Sequence, residues 1–320
     1  MQAIRNAAAE EFEIVNQLVI AELHSEAALV ESIGNYIIEA GGKRLRPLLV
    51  LLCGKALNGN TQNITQLAAI VEFIHTATLL HDDVVDVSSL RRGRPTANAE
   101  WGNAPSVLVG DFIYSRAFQL MVKMGNMDIM ALMANTTNRI AEGEVLQLER
   151  AGKPDTSEDA YYRIIEQKTA VLFEAATQGA AILANCDLPT QQAAKAYGHH
   201  LGMAFQLIDD VLDYTGDATA MGKNVGDDLN EGKATLPLIY AMKHGSTLQK
   251  EIIFHAIESK SSNNIAEIIS AVNDTGALEY TKGKAQSHRD KAIASIANFP
   301  DCEQTIQMCR LADLAIQRNH

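Results

Sequence analysis

The chain has 320 residues, 47% of them apolar and 21% charged, and carries a net charge of −12. That length buries a sizeable core, in one large domain or two medium ones. The acidic balance disfavours a nucleic-acid partner, which needs a broad basic face, but leaves room for a phosphate ligand where cations converge locally or a metal neutralises it.

Helical spacing dominates and strand alternation is nearly absent. In chain order the pattern predicts helices near 9–40, 47–57, 64–86, 105–124, 127–150, 158–185, 190–214, 234–244, 247–258, 263–273, 277–297 and 301–318, with no sheet. Prolines fall at helix starts or between helices, and glycines punctuate the loops. No linker rich in Pro, Gly or Ser interrupts the pattern. The expected fold is therefore all-α, a single large helical bundle forming one domain over 1–320. The N-terminus turns acidic at Glu10, Glu11 and Glu13 and is not expected to be a signal peptide. The densest apolar run, Leu48 to Cys53, is too short to span a bilayer, so any membrane contact is expected to be peripheral. Cys53, Cys186, Cys302 and Cys309 form no CxxC pair and read as reduced thiols of a cytoplasmic protein.

One arrangement occurs twice. The apolar segment from Phe73 ends in Asp82-Asp83-Val-Val-Asp86, and the one from Met203 ends in Asp209-Asp210-Val-Leu-Asp213. Each precedes a loop with basic residues: Arg91, Arg92 and Arg94 after the first, Lys223 after the second. Carboxylates at i and i+4 share a helix face, repel one another, and sit badly at the negative end of the helix dipole. Such clusters ask for cations, and all-oxygen ligands suit a hard ion such as Mg²⁺. A single copy reads better as a solvated helix end; two matched copies favour the metal.

The basic residues are ambiguous one at a time. Gly41-Gly-Lys-Arg-Leu-Arg-Pro47 places Lys43, Arg44 and Arg46 at a glycine turn leading into a helix, where a diphosphate could be held or a surface turn simply solvated. Arg91 to Thr96 has the same two readings. His75, seven residues before Asp82, shares its helix face and reads as functional, with a satisfied core histidine as the alternative. Gln206 lies on the second acidic face. Lys168 sits within an apolar helix, where a lysine snorkels or meets an anion. Lys223 and Lys233 flank Asp227-Asp228. Two carboxylate sets and several separate cations match a site for two diphosphates, one chelated through metal and one held directly.

These residues resemble the trans-polyprenyl diphosphate synthases, almost end to end. The resemblance rests on Gly42-Lys-Arg-Leu-Arg-Pro47, Leu80-His-Asp-Asp-Val-Val-Asp86, Arg91-Arg-Gly-Arg-Pro-Thr96, Gly143-Glu-Val-Leu-Gln147, Lys168-Thr169, Phe205 to Asp213, Gly222-Lys223 and Lys233-Ala-Thr-Leu-Pro237. Phrases near Phe73 and Ser106 look most like the bacterial octaprenyl diphosphate synthase branch, which makes the ubiquinone side chain. The resemblance implies a bundle around a deep central cavity, usually a homodimer, that adds isopentenyl diphosphate to an allylic primer with three Mg²⁺ ions. Asp82, Asp86 and Asp209 would bind metal, supported by Asp83, Asp210 and Asp213. Arg91, Lys168, Thr169, Gln206, Lys223 and Lys233 would hold the allylic diphosphate, and Lys43, Arg46, His75 and Arg92 the isopentenyl diphosphate. Farnesyl diphosphate as primer and an octaprenyl product rest on the resemblance alone. The tail from Gln317 to His320 is less basic than in some short-chain relatives, which puts its closure over the isopentenyl site in doubt.

Ala77 and Thr78, one turn before Asp82, are small where short-chain relatives carry a bulky aromatic, so a long product is expected. Met121, Met124, Leu132 and Met133 are candidates for the floor. A shorter-chain synthase, a class I terpene cyclase, a non-catalytic partner subunit and a purely structural helical protein are the alternatives. The second Asp-rich motif and the separate basic clusters speak against the cyclase. Retention of both Asp motifs speaks against the partner subunit.

Overall fold

Asn60 opens the helix on which the first acidic cluster is built: its side chain accepts from Asn63 N at 3.2 Å and starts α5, Thr61–Val85. The computed structural model describes residues 1–215 and 226–318. Ahead of α5 lie α1 (Gln2–Asn6), α2 (Ala9–Glu22), α3 (Ala28–Glu39) and α4 (Leu45–Ala56); after it come α6 (Ala97–Trp101), α7 (Asn103–Met124) and α8 (Met127–Arg150). Then follow α9 (Glu158–Ile165), a π-helical turn over Glu166–Ala170, α10 (Val171–Leu183) and α11 (Leu188–Thr215). The remainder is α12 (Asp227–Asn230), α13 (Leu236–His244), α14 (Thr247–Ser259), α15 (Ile265–Asp274), α16 (Ala277–Ser295) and α17 (Glu303–Ile316).

Three local features depart from the sequence expectation. The helix expected over 9–40 breaks between α2 and α3, because Glu31 accepts from Ser25 N at 3.0 Å and the Ser25 hydroxyl accepts from Ala27 N at 3.2 Å. These side chains give the backbone an alternative to continued helix. The helix expected over 158–185 contains the π turn at Glu166–Ala170. The fold is all-α as expected, and the one departure from that class among the described residues is a small hairpin. Leu90–Arg91 and Arg94–Pro95 form a two-stranded antiparallel hairpin, with Leu90 opposite Pro95 and Arg91 opposite Arg94. Its two turn residues, Arg92 and Gly93, both have positive φ (54° and 73°), as a two-residue type I′ turn requires.

The described residues fall into two compact units. The first comprises Met1–Thr137, Leu172–Gly198 and Ser295–Leu311. Here α2, α4 and α7 pack on α5. Leu67, Ala68, Ala69, Ile70, Val71, Phe73 and Ile74 of α5 are all completely buried. The helix is long and apolar enough to cross a membrane, yet 72% of its most apolar window is buried inside the protein, as in a core helix. The second unit comprises Asn138–Val171, His199–Ala294 and Ala312–His320. One core cluster there centres on Tyr161, Ile165, Leu207, Ile208 and Leu236, and another on Leu229, Leu238, Ile253, Ile257, Ile268 and Val272.

Close helix contact in the first unit depends on glycine at 198. A Cβ there would stand 2.3 Å from the Phe173 carbonyl oxygen and 2.4 Å from Thr177 Oγ1. Backbone oxygen has no rotamer with which to yield, so α10 and α11 would have to separate. Gly198→Ala is therefore expected to lower folding stability by about 1–3 kcal/mol, the usual range for overpacking, measured by urea denaturation of the full chain.

Candidate functional site

The end of α5 carries the first acidic cluster. Asp86 is the C-cap residue, and its N–H returns to the Asp82 carbonyl, so the backbone turns out of the helix immediately after these side chains. Asp83 faces inward and is 1% exposed. The hairpin delivers its counter-charge: Arg91 Nε and Nη2 donate to the Asp83 carboxylate at 2.9 and 2.7 Å. Asn98 also donates to the Asp83 carbonyl at 3.2 Å, and Thr96 and Asn98 tie the hairpin base to the Ser88 carbonyl. Burial works against a charged Arg91, but the Asp83 pairing outweighs it and raises the guanidinium above its ordinary value. Asp83 is thus taken up by protein. Arg91, assigned by resemblance to a diphosphate, has two of its three nitrogens committed to that carboxylate.

A cationic cluster lies in the same unit. Arg46 stacks over the Phe173 ring at 4.5 Å, and its Nη1 donates to His75 Nε2 at 3.1 Å. Arg92 donates to the Gly41 carbonyl. Gly42 allows this approach, since a Cβ there would stand 2.6 Å from the Arg92 guanidinium. Arg44 is held by Asn16 and by the Ile38 carbonyl, so it is a structural anchor. Lys43 is exposed on the same turn. Beneath them sits Glu72, which the sequence reading missed: it is 8% exposed, with Arg44 Nε at 3.9 Å. Its spacing of three residues from His75 was the available signal. Burial raises the Glu72 carboxyl, while Arg44, Arg46 and Arg92 pull it back. Burial also pushes Arg46 down to about 10.

His75 is driven well below its ordinary value, first by burial and then by Arg46, Arg92 and Arg91. Its ring is neutral and accepts from Arg46. It therefore orients a cation and adds no charge of its own.

The second unit holds the other acidic cluster on the last turns of α11. Asp210 accepts from the Tyr161 hydroxyl and, at 2.8 Å, from Gln206 Nε2. Gln206 Oε1 in turn accepts from Thr169 at 3.0 Å. Burial and then the neighbouring Asp228 push Asp210 up to about 8. Tyr161 and Asp228 are thus further members of this site that the sequence reading did not assign. Gln206 uses both ends of its amide within the protein and positions Thr169 and Asp210. Asp213 is fully buried. Lys168 pairs with Glu144 at 2.7 Å, and Lys233 pairs with Glu231. The Lys168 backbone comes close to α8: a Cβ on Gly143 would lie 2.8 Å from Lys168 N, so Gly143 admits the π turn that carries Lys168 and Thr169. Lys223 and the Gly222 beside it lie outside the described residues.

The tail also reaches this unit. Arg318 stacks over Phe205 at 4.2 Å and approaches Asp209 Oδ1 at 3.4 Å. The reading from sequence concerned the tail at the isopentenyl site; among the described residues, its arginine instead lies at the second acidic helix end.

The candidate metal ligands suit a hard divalent cation. Every one is a carboxylate oxygen, and no imidazole or thiolate belongs to the set. Within the two clusters, Asp83 is engaged by Arg91, and Asp210 by Tyr161 and Gln206.

The chain is similar to known proteins along its whole length. A sequence model of the polyprenyl synthetase family matches residues 27–275. The octaprenyl diphosphate synthase of Escherichia coli K12 is 47% identical over 320 residues, covering 100% of this chain and 99% of its own. A geranyl-diphosphate-specific all-trans-nonaprenyl-diphosphate synthase of Rhodobacter capsulatus is 44% identical, over 99% and 98%. The crystal structure of a polyprenyl synthase from Caulobacter crescentus CB15, complexed with calcium and isoprenyl diphosphate, superimposes with a TM-score of 0.97 at 41% identity, covering 100% of this chain and 98% of that one.

The neutral His75 has a pH signature. Its ordinary value is 6.5 and its folded value is well below that. As pH falls below about 6.5 the unfolded chain takes up a proton that the folded chain refuses, so folding stability falls with it. His75→Gln, which does not titrate, should lose stability less steeply over that range in urea titrations at stepped pH. Equal slopes would contradict a neutral, buried His75.

Proposed function

Since the chain belongs to the polyprenyl synthetase family, we propose that it is a long-chain trans-prenyltransferase. It condenses isopentenyl diphosphate repeatedly onto an allylic diphosphate, farnesyl diphosphate by preference, to give octaprenyl diphosphate for the ubiquinone side chain. The observation that carries this reading is 47% identity to an octaprenyl diphosphate synthase along the whole chain. The Caulobacter relative's complex with calcium and isoprenyl diphosphate supports a divalent-metal, diphosphate-binding site. The reading extends to one catalytic domain over 1–320, acting as a homodimer in the cytoplasm, with peripheral membrane contact at product release.

Three Mg²⁺ ions, when bound, supply the positive charge that stabilises the departing diphosphate. Asp82, Asp86 and Asp209 would hold them. Asp83, Asp210 and Asp213 support these ligands, two of them through the Arg91 and Tyr161–Gln206 contacts. Lys168, Lys233 and Lys223 would hold the allylic diphosphate by charge, the first two by exchanging Glu144 and Glu231 for the ligand. Thr169 and the remaining edge of Arg91 add hydrogen bonds, and Gln206 keeps Thr169 in place. Lys43, Arg46 and Arg92 would hold isopentenyl diphosphate, with His75 fixing the Arg46 guanidinium. Fixing both diphosphates sets the isopentenyl double bond against the allylic carbon as its C–O bond breaks, and keeps water from it. The departing diphosphate takes the proton lost from the new chain, so no protein base is required.

The growing tail would leave the Asp-rich end along α5, where Ala77 is buried and small. At 25 residues α5 runs about 37 Å. Met121 and Met133 are fully buried and Met124 and Leu132 partly so, on α7 and α8 of the same unit, and they are the proposed floor.

Purified protein incubated with farnesyl diphosphate, labelled isopentenyl diphosphate and Mg²⁺ should yield one product of eight isoprene units, abolished by EDTA. A nine-unit product would keep the reaction and move the chain to the length of the Rhodobacter relative. Absence of any elongation would overturn the proposal. Ala77→Phe should shorten the product by several units while turnover continues; an unchanged length would overturn the α5 path.

A further inference from the structure

Away from both acidic helix ends, the second unit gathers three histidines. His199 and His200 lie on α11, and His288 on α16. Ring centroids are 4.9 Å apart for His199 and His200, 5.1 Å for His200 and His288, and 6.3 Å for His199 and His288. The Nδ1 atoms of His200 and His288 face one another at 3.1 Å. None of these residues takes part in the reaction derived above.

From this geometry we infer that His200 and His288 form a binding site for one borderline divalent cation of the Zn²⁺, Co²⁺ or Ni²⁺ class, with water completing its coordination. Two points carry it. Two imidazole nitrogens bound at about 2.0–2.1 Å to one tetrahedral zinc stand roughly 3.3 Å apart, close to the Nδ1 separation seen here. The ligands come from two separate helices that are already packed, so little ordering remains to be done on binding. Imidazole ligands also separate this site from the all-carboxylate ends, which take hard ions. The alternative occupant of the 3.1 Å gap is one shared proton, an imidazole–imidazole hydrogen bond.

The experiment is a Co²⁺ titration of the full chain in excess Mg²⁺, which keeps the carboxylate sites filled and leaves prenyl transfer out of the readout. The expected result is the visible absorption of four- or five-coordinate Co²⁺ with nitrogen ligands, saturating near one ion per chain and bleached by Zn²⁺. His288→Ala and His200→Ala should each weaken Co²⁺ binding at least tenfold with unchanged circular dichroism. A wild-type titration showing only the weak bands of octahedral, oxygen-bound Co²⁺ overturns the site, whatever the variants do. Folded variants that bind Co²⁺ as the wild type does overturn it as well.

Discussion

Carboxylates clustered at the ends of buried apolar helices are the constraint around which this protein is organised. Like charges one helical turn apart repel, and a helix C-terminus adds its own negative field. The fold answers by splitting each cluster. At α5, Asp83 turns inward to a two-pronged contact with Arg91. On α11, Asp210 turns to Tyr161 and Gln206, while Asp209 meets Arg318 from the tail. In both cases one carboxylate is consumed structurally, and this fixes the direction of its neighbours. The same device recurs at two places on different partners, which argues that the orientation of the others is what matters.

The cations obey a complementary rule. A cluster of arginines near Arg46 would repel itself apart without an anion beneath it, and Glu72 supplies that charge from α5. His75 stays neutral because burial and the surrounding arginines both oppose its protonation. A neutral acceptor is the more useful group there, since it can orient Arg46 without adding to the repulsion. Lys168 and Lys233, in contrast, each rest against a glutamate.

Much of this was legible from sequence, and what was not has identifiable causes. The long helices follow the apolar period, so α5, α7, α8 and α11 fall within a few residues of their expected spans. The break before α3 was missed because it is made by Ser25 and Glu31 reaching backbone N–H groups, a signal weaker than Gly or Pro. The π turn was missed because one extra residue in a turn barely disturbs a 3.6 period. The hairpin was missed because two-residue strands have no alternation to read, and its turn uses Arg92 with positive φ in place of Asn or Asp. At the site, the Asp-rich ends stood out by repetition. Spacing could not tell that Asp83 and Arg91 face each other, or that Gln206 spends its amide on Thr169 and Asp210. Helical periodicity reports which side of a helix a residue is on, and not which atom it meets.

The apolarity of α5 follows from the same arrangement. An ordinary surface helix keeps one polar face, because only one side meets the core. Helix α5 is packed by α2, α4 and α7, so it has almost no solvent side along its middle, and its composition approaches that of a membrane span. Yet its end carries Asp82, Asp83 and Asp86, and its interior carries Glu72 and His75. Polar groups in such a helix persist only if they are paired or functional. Glu72 and His75 sit on the stretch facing the arginines, Asp83 sits opposite the hairpin, and between them the small side chains of Thr76, Ala77 and Thr78 precede Leu79, Leu80 and His81. Large side chains at that turn would fill the core better by the ordinary rule of close packing. Small ones leave room beside the helix at that turn.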